Sequence, residues 1–82
     1  MSLSVVIPAF NEENQIGSVI DEIKMTVWST AAEVLVVDDG SADRTSEVAE
    51  SHGARVVRFP RNRGYGAAIK AGIENASSEC LN

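Results

Sequence analysis

Three short runs of apolar, mostly β-branched residues alternate along this chain with three longer segments whose apolar positions recur every three or four residues. Leu3 to Ile7 is the first run and Pro8 closes it; this predicts a buried parallel strand. Asn11 is a suitable N-cap, with Glu12 and Glu13 in the first helical turn that follows. Ile16, Val19, Ile20, Ile23 and Val27 then form one helical stripe, with Trp28 placed to close the helix on the sheet. Glu33 to Val37 is the second strand and ends in the turn-forming Asp38-Asp39-Gly40-Ser41. Asp43 or Ser41 can cap a second helix running to about His52, where Gly53 stands as a stop. Arg55 to Phe59 is the third strand, Arg61 to Gly66 a loop, and Ala67 to Ala76 a third helix with Ile69, Ile73 and Ala76 on one face. Its small residues, Ala67, Ala68, Ala71 and Gly72, permit close approach to a sheet. Ser77 to Asn82 reads as a connection towards a further strand.

The order β-α-β-α-β-α predicts parallel strands with right-handed crossovers. The fold class is therefore α/β, one Rossmann-like half of a doubly wound sheet, with residues 1–82 as a single partial domain. A net charge of −5 argues against nucleic acid as a partner, because phosphate-backbone binding needs clustered Lys and Arg. The local exception is Arg55, Arg58, Arg61 and Arg63, either a solvated face or an anion-facing patch. Cys80 is the one cysteine, so no internal disulfide can form. No apolar run approaches the roughly 20 residues that span a bilayer, and no secretory signal pattern is present.

The candidate chemistry lies where two strands end. In an open parallel sheet ligands bind at that edge. Asp38 and Asp39 are adjacent and so point in different directions. One is expected to accept N–H or hydroxyl groups from a nucleoside, the other to hold the loop or help position a metal. An Asp-Gly turn with no further role is the plainer alternative. Asn11 and Glu12 can cap a helix and still leave its N–H groups to an anion. Gly64-Tyr65-Gly66 looks like the start of a dinucleotide fingerprint, but Ile69 stands where its third glycine belongs. Arg61, Arg63 and Lys70 are either solvent-exposed or within reach of a diphosphate, and Tyr65 either stacks on a base or packs in its loop. His52, the lone histidine, sits at a favourable helix-dipole position. No Cys or His spacing fits a metal site.

Three motifs together, residues 5–13 (Val-Val-Ile-Pro-Ala-Phe-Asn-Glu-Glu), 36–45 (Val-Val-Asp-Asp-Gly-Ser-Ala-Asp-Arg-Thr) and 62–68 (Asn-Arg-Gly-Tyr-Gly-Ala-Ala), resemble family 2 glycosyltransferases of the GT-A fold. The nearest branch is the polyprenol-phosphate (dolichol-phosphate) mannosyl- and glucosyltransferase-like group. The resemblance covers nearly the whole chain, is specific for the superfamily and is silent on donor and acceptor. It implies that Pro8, Ala9, Phe10 and Glu12 line a nucleotide pocket and that an aspartate of the Asp38-Asp39 pair binds the base. Gly40 and Ser41 would shape the turn, and Arg63, Gly64 and Gly66 would lie close to the nucleotide. The implied reaction is sugar transfer from a UDP- or GDP-type donor, with Mg²⁺ or Mn²⁺ neutralising the diphosphate leaving group.

The family's metal-binding Asp-x-Asp motif normally ends the next strand, and this chain reaches Asn82 at about that point. The expectation is a donor-nucleotide half that holds no catalytic residue and no metal ligand, binds no metal by itself and is inactive alone. An open sheet edge and an apolar helix face predict association with a second copy or a partner chain. Contact with a membrane is expected only through other segments, and the location is cytoplasmic or at a membrane's cytoplasmic face. The alternative is a non-catalytic nucleotide-binding or assembly module. A receiver-like phosphoacceptor domain also uses an acidic pair, but it needs a lysine at a late strand end; Lys24 and Lys70 both fall in helical patterns.

Overall fold

All three apolar runs are strands of one parallel sheet, in the order β1-β2-β3, in the computed structural model, which describes residues 3–26 and 32–80. The elements are β1 (Leu3–Ala9), α1 (Ile16–Thr26), β2 (Ala32–Asp38), α2 (Thr45–Ser51), β3 (Arg55–Arg58) and α3 (Tyr65–Cys80). β2 is central, with Ile7 opposite Val36 and Val37 opposite Val57. The first two strands extend past their apolar runs. Pro8 stays inside β1, in register with Val37, and Asp38 ends β2 opposite Ala9 and Arg58. Ala9 turns its carbonyl towards β2, accepting from Asp39 N–H at 2.8 Å. Pro8, one residue back, therefore turns its ring nitrogen to the free edge of β1, where no ladder bond is lost.

The two faces of the sheet are packed differently. Val34, Val36 and Ala9 meet Ile16 and Ile20 of α1 and Ala49 of α2 on one face. Val37 and Val6 meet Ala67, Ala68 and Ala71 of α3 on the other. Ile16, Ile20, Val36 and Val37 are at most 1% exposed, and each such burial contributes about 1.5–3 kcal/mol. Val19 is 40% exposed, so the stripe on α1 is narrower than its spacing predicts. Val27 and Trp28 lie outside the described residues.

α3 corrects the expected bounds at both ends. It begins at Tyr65, before the predicted Ala67, and runs through Ser77 to Cys80, where a connection was expected. Its buried face is the small-residue stripe, and Ile73 is 57% exposed. The reason is distance. A Cβ at Gly72 would stand 2.2 Å from Val6 Cγ1, so the helix lies too close to the sheet for a bulky residue there.

α2 ends in a Schellman arrangement, with Gly53 N–H bonded to Glu50 and Ala54 N–H to Ala49, and Gly53 at φ 87. His52 caps it, and His52 Nδ1 lies 2.9 Å from Asp21 of α1, while Lys24 Nζ donates to the His52 carbonyl at 2.7 Å. These contacts fix α1 against α2 on one side of the sheet.

The close approach at Gly72 makes a prediction. Gly72→Ala should destabilise the chain by about 1–3 kcal/mol through overpacking, in spite of the helix propensity gained. Urea unfolding should show the loss, and Val6→Ala in the same chain should recover part of it; an unchanged or raised midpoint in the single variant would contradict this packing.

Candidate functional site

Because the strands are parallel, the loops after β1, β2 and β3 all emerge at one edge, and the loop after β2 lies between the other two. Hydrogen bonds to side chains bind them together. Asn11 N–H donates to Ser41 Oγ at 2.8 Å, and Ala42 N–H donates back to Asn11 Oδ1 at 2.8 Å. Glu12 N–H donates to Thr45 Oγ1 at 2.8 Å and Glu13 N–H to Asp43 Oδ2 at 3.2 Å. Asn11 is thus a cross-loop link at φ 52, a left-handed conformation that asparagine tolerates, and not the N-cap of α1. The helix starts later, at Ile16, whose N–H bonds the Glu12 carbonyl at 2.8 Å.

The two adjacent aspartates do diverge. Asp38 is fully buried; its Oδ1 accepts from Ser41 N–H at 2.9 Å and its Oδ2 from the Ser46 hydroxyl of α2. It holds the turn and stands away from the cleft described below, contrary to its expected place among the binding residues. Asp39 is 6% exposed and faces the other way. Its Oδ1 accepts from Arg63 N–H at 2.7 Å and its Oδ2 from Gly64 N–H at 3.0 Å. Gly40 is at φ 75, and a Cβ there would meet the Arg61 carbonyl carbon at 2.3 Å, so the turn admits only glycine in this geometry.

A shallow cleft of about 220 Å³ lies at this edge, lined by Pro8, Ala9, Phe10, Glu12, Asp39, Tyr65 and Ala68. Five of these are expected site residues. Gly40, Ser41, Arg63 and Gly64 do not line the cleft and belong to the hydrogen-bonded loops of this edge, and Gly66 sits in the first turn of α3. Ala68 was not expected at the site, and Tyr65 was expected either to stack on a base or to pack in its loop. A larger groove of about 480 Å³ runs between α1 and α2 past Asp21 and His52, but only Glu13 of the three motifs reaches it. Size alone therefore does not locate the site.

Three of the four arginines are engaged singly within the fold. Arg55 lies 3.7 Å from Glu33, Arg58 donates to the Ser41 carbonyl at 3.1 Å, and the Arg63 guanidinium stacks on Phe59 at 4.9 Å from the ring centroid. Among the described residues no group of three or more His, Cys, Asp or Glu could hold a metal ion. Asp38 and Asp39 are turned to N–H and hydroxyl donors of the chain itself, so the pair does not fit a divalent ion.

Asp43 links two loops, accepting from Glu13 on one oxygen and from Thr45 N–H at 3.0 Å and the Thr45 hydroxyl on the other. That hydroxyl chiefly holds the Asp43 carboxyl below its ordinary value of 3.8; desolvation opposes this, and the two N–H groups add to it. A lowered carboxyl favours the fold above its unfolded value and loses that effect as pH falls through the folded value. The amide resonances of Glu13 and Thr45 should therefore hold steady down to acid pH and move together only below 3.8. A shared midpoint at or above that value would contradict the link, and in Asp43→Asn the movement should vanish. Asp38→Ala should cost on the order of 3 kcal/mol in urea unfolding, because two donors lose their buried acceptor.

Comparison with known proteins gives the following. The model of the family described as glycosyl transferase family 2 matches residues 4–81. A dolichyl-phosphate beta-glucosyltransferase of Drosophila melanogaster is 39% identical over 99% of this chain and 29% of its own length. A dodecaprenyl-phosphate galacturonate synthase of Rhizobium johnstonii is 36% identical over 99% of this chain and 26% of its own. Glucosyl-3-phosphoglycerate synthase of Mycobacterium tuberculosis, solved with Mn²⁺, UDP and glucosyl-3-phosphoglycerate, superposes with a TM-score of 0.70 at 43% identity, covering 83% of this chain and 27% of that one. The chain thus spans between a quarter and a third of the length of these relatives.

Proposed function

The chain belongs to glycosyl transferase family 2, and from that premise we propose that its strand-edge cleft receives the nucleoside end of a nucleoside-diphosphate sugar, of UDP or GDP type, in an enzyme that transfers the sugar to an acceptor. The observation that carries this reading is the convergence of all three motifs on one cleft at the C-terminal edge of parallel strands. The M. tuberculosis synthase solved with UDP-glucose and Mn²⁺ supports the ligand class.

The chemistry of the lining narrows which part of the donor fits. Carboxylates are acceptors only, so Glu12 and Asp39 suit the N–H edge of a base and the hydroxyls of a ribose, not a diphosphate. Pro8, Ala9 and Ala68 give an apolar floor, and Phe10, 47% exposed, offers a ring face. The described residues do not supply the divalent ion that solved relatives hold with UDP, and no step of the reaction is assigned to them through it. Their part is to bind and orient the nucleoside of the leaving nucleoside diphosphate.

The free edge of β1 and the exposed Val19 and Ile73 support association with another chain. Among the described residues no helix is long and apolar enough to cross a membrane.

The donor reading is tested by titrating isotope-labelled chain with UDP, GDP and ADP. Shifts should concentrate on the amides of residues 8–12, 38–41 and 63–67, with one base preferred. Shifts spread over α1 and α2 instead, or none in a folded chain, would remove the cleft as the site.

A further inference from the structure

Only four aromatic residues occur in the chain, Phe10, Trp28, Phe59 and Tyr65. Phe59 is 7% exposed beneath the Arg63 guanidinium. Phe10 and Tyr65 are 47% and 72% exposed, and both line the same cleft of about 220 Å³. Single exposed apolar residues are ordinary, but two rings gathered at one concavity in a chain this poor in aromatics form a patch that calls for an occupant.

The backbone beneath Tyr65 is fixed from both sides. Arg63 and Gly64 are held by the Asp39 carboxylate, Gly64 adopts φ 98, and Ala68 N–H closes the first turn of α3 on the Gly64 carbonyl at 3.1 Å. The ring therefore has two side-chain torsions to lose when something packs on it, a small ordering cost for a large contact area. The cleft floor beside it, Ala9 and Ala68, is 4% and 0% exposed and carries no bulk. A flat ring can lie against such a floor, and the Glu12 carboxylate that also lines the cleft is an acceptor suited to the N–H edge of a base.

We propose that Tyr65 is a nucleobase-binding residue of the cleft, its ring forming a stacking surface for the base of the donor. This rests on the donor reading above and adds a residue to it. The phenolic hydroxyl is not required, since stacking uses the ring face, and the diphosphate is not touched. Tyr65 also differs from Asp39 in kind: Asp39 shapes the loop through its backbone, whereas Tyr65 contributes through the surface it presents.

The test uses the chain itself with two probes, UDP and inorganic pyrophosphate, the second lacking any base. Tyr65→Ala should weaken UDP binding about tenfold, and Tyr65→Phe should leave it within about twofold. Pyrophosphate binding, however weak, should be the same in all three chains. The uracil H5 and H6 resonances should move upfield on the wild-type chain and on Tyr65→Phe, and less on Tyr65→Ala. The side chain is exposed and alanine is a good helix former, so the variant keeps the fold. UDP binding by Tyr65→Ala equal to wild type would overturn the proposal while leaving the donor reading intact. So would a parallel loss of pyrophosphate, or a Tyr65→Phe variant as weak as Tyr65→Ala. Failure of the wild-type chain to bind either UDP or GDP would overturn both readings together.

Discussion

Backbone N–H groups that emerge past the ends of parallel strands have left the sheet ladder and must find acceptors elsewhere. In this chain the acceptors are side-chain oxygens on the end of β2 and in the loop after it. Asp38 takes the Ser41 N–H, Asp39 takes those of Arg63 and Gly64, and Ser41, Asp43 and Thr45 take those of Asn11, Glu13 and Glu12. Hydrogen bonds to a charged group contribute about 1.5–3 kcal/mol each, against about 1–2 kcal/mol of backbone entropy for each residue ordered. Two such bonds on Asp39 are enough to order Arg63 and Gly64. β2 is central, so its loop reaches the loops of both neighbours, and the cleft exists because that one loop holds the other two in place.

The same arrangement ties up charge of both signs at the strand edge. Asp38 and Asp39 are turned to N–H and hydroxyl donors and are buried. Arg58 and Arg63 are likewise taken up within the fold, one by the Ser41 carbonyl and one by the Phe59 ring. What lines the cleft is apolar floor, aromatic surface, the Glu12 carboxylate and the acceptor positions that the Arg63 and Gly64 N–H groups leave open on Asp39. That composition pairs flat apolar surface with hydrogen-bond acceptors.

How far the fold could be read beforehand follows from which forces act locally. The strands were legible because burial on both faces demands continuous β-branched runs, as in Glu33 to Val37. The resemblance carried by residues 5–13, 36–45 and 62–68 pointed to five of the seven residues that line the cleft. The division of labour between Asp38 and Asp39 was not legible, since it depends on which face of the sheet each side chain leaves from, and that parity is set by the register of β2. Asn11 looked like an N-cap by composition; its partners, Ser41 and Ala42, are some thirty residues away in sequence. On α3 the small residues Ala67, Ala68, Ala71 and Gly72 were legible as a surface for close approach, and the packing of the three alanines on Val6 and Val37 is that approach.

The start of α3 shows why such local rules give way where they do. Gly64, Tyr65 and Gly66 read as loop, because a glycine costs a helix about 1 kcal/mol relative to alanine. The Asp39 carboxylate offsets that cost by fixing the Arg63 and Gly64 N–H groups, and Gly64 supplies the φ of 98 that the entry into the helix needs. The helix can then begin at Tyr65, and its first residue is carried to the rim of the cleft. A loop conformation at the same residues would leave the ring without a fixed base. The Asp39 carboxylate, one residue past β2, thus sets where the third helix starts, and with it which side chain borders the cleft.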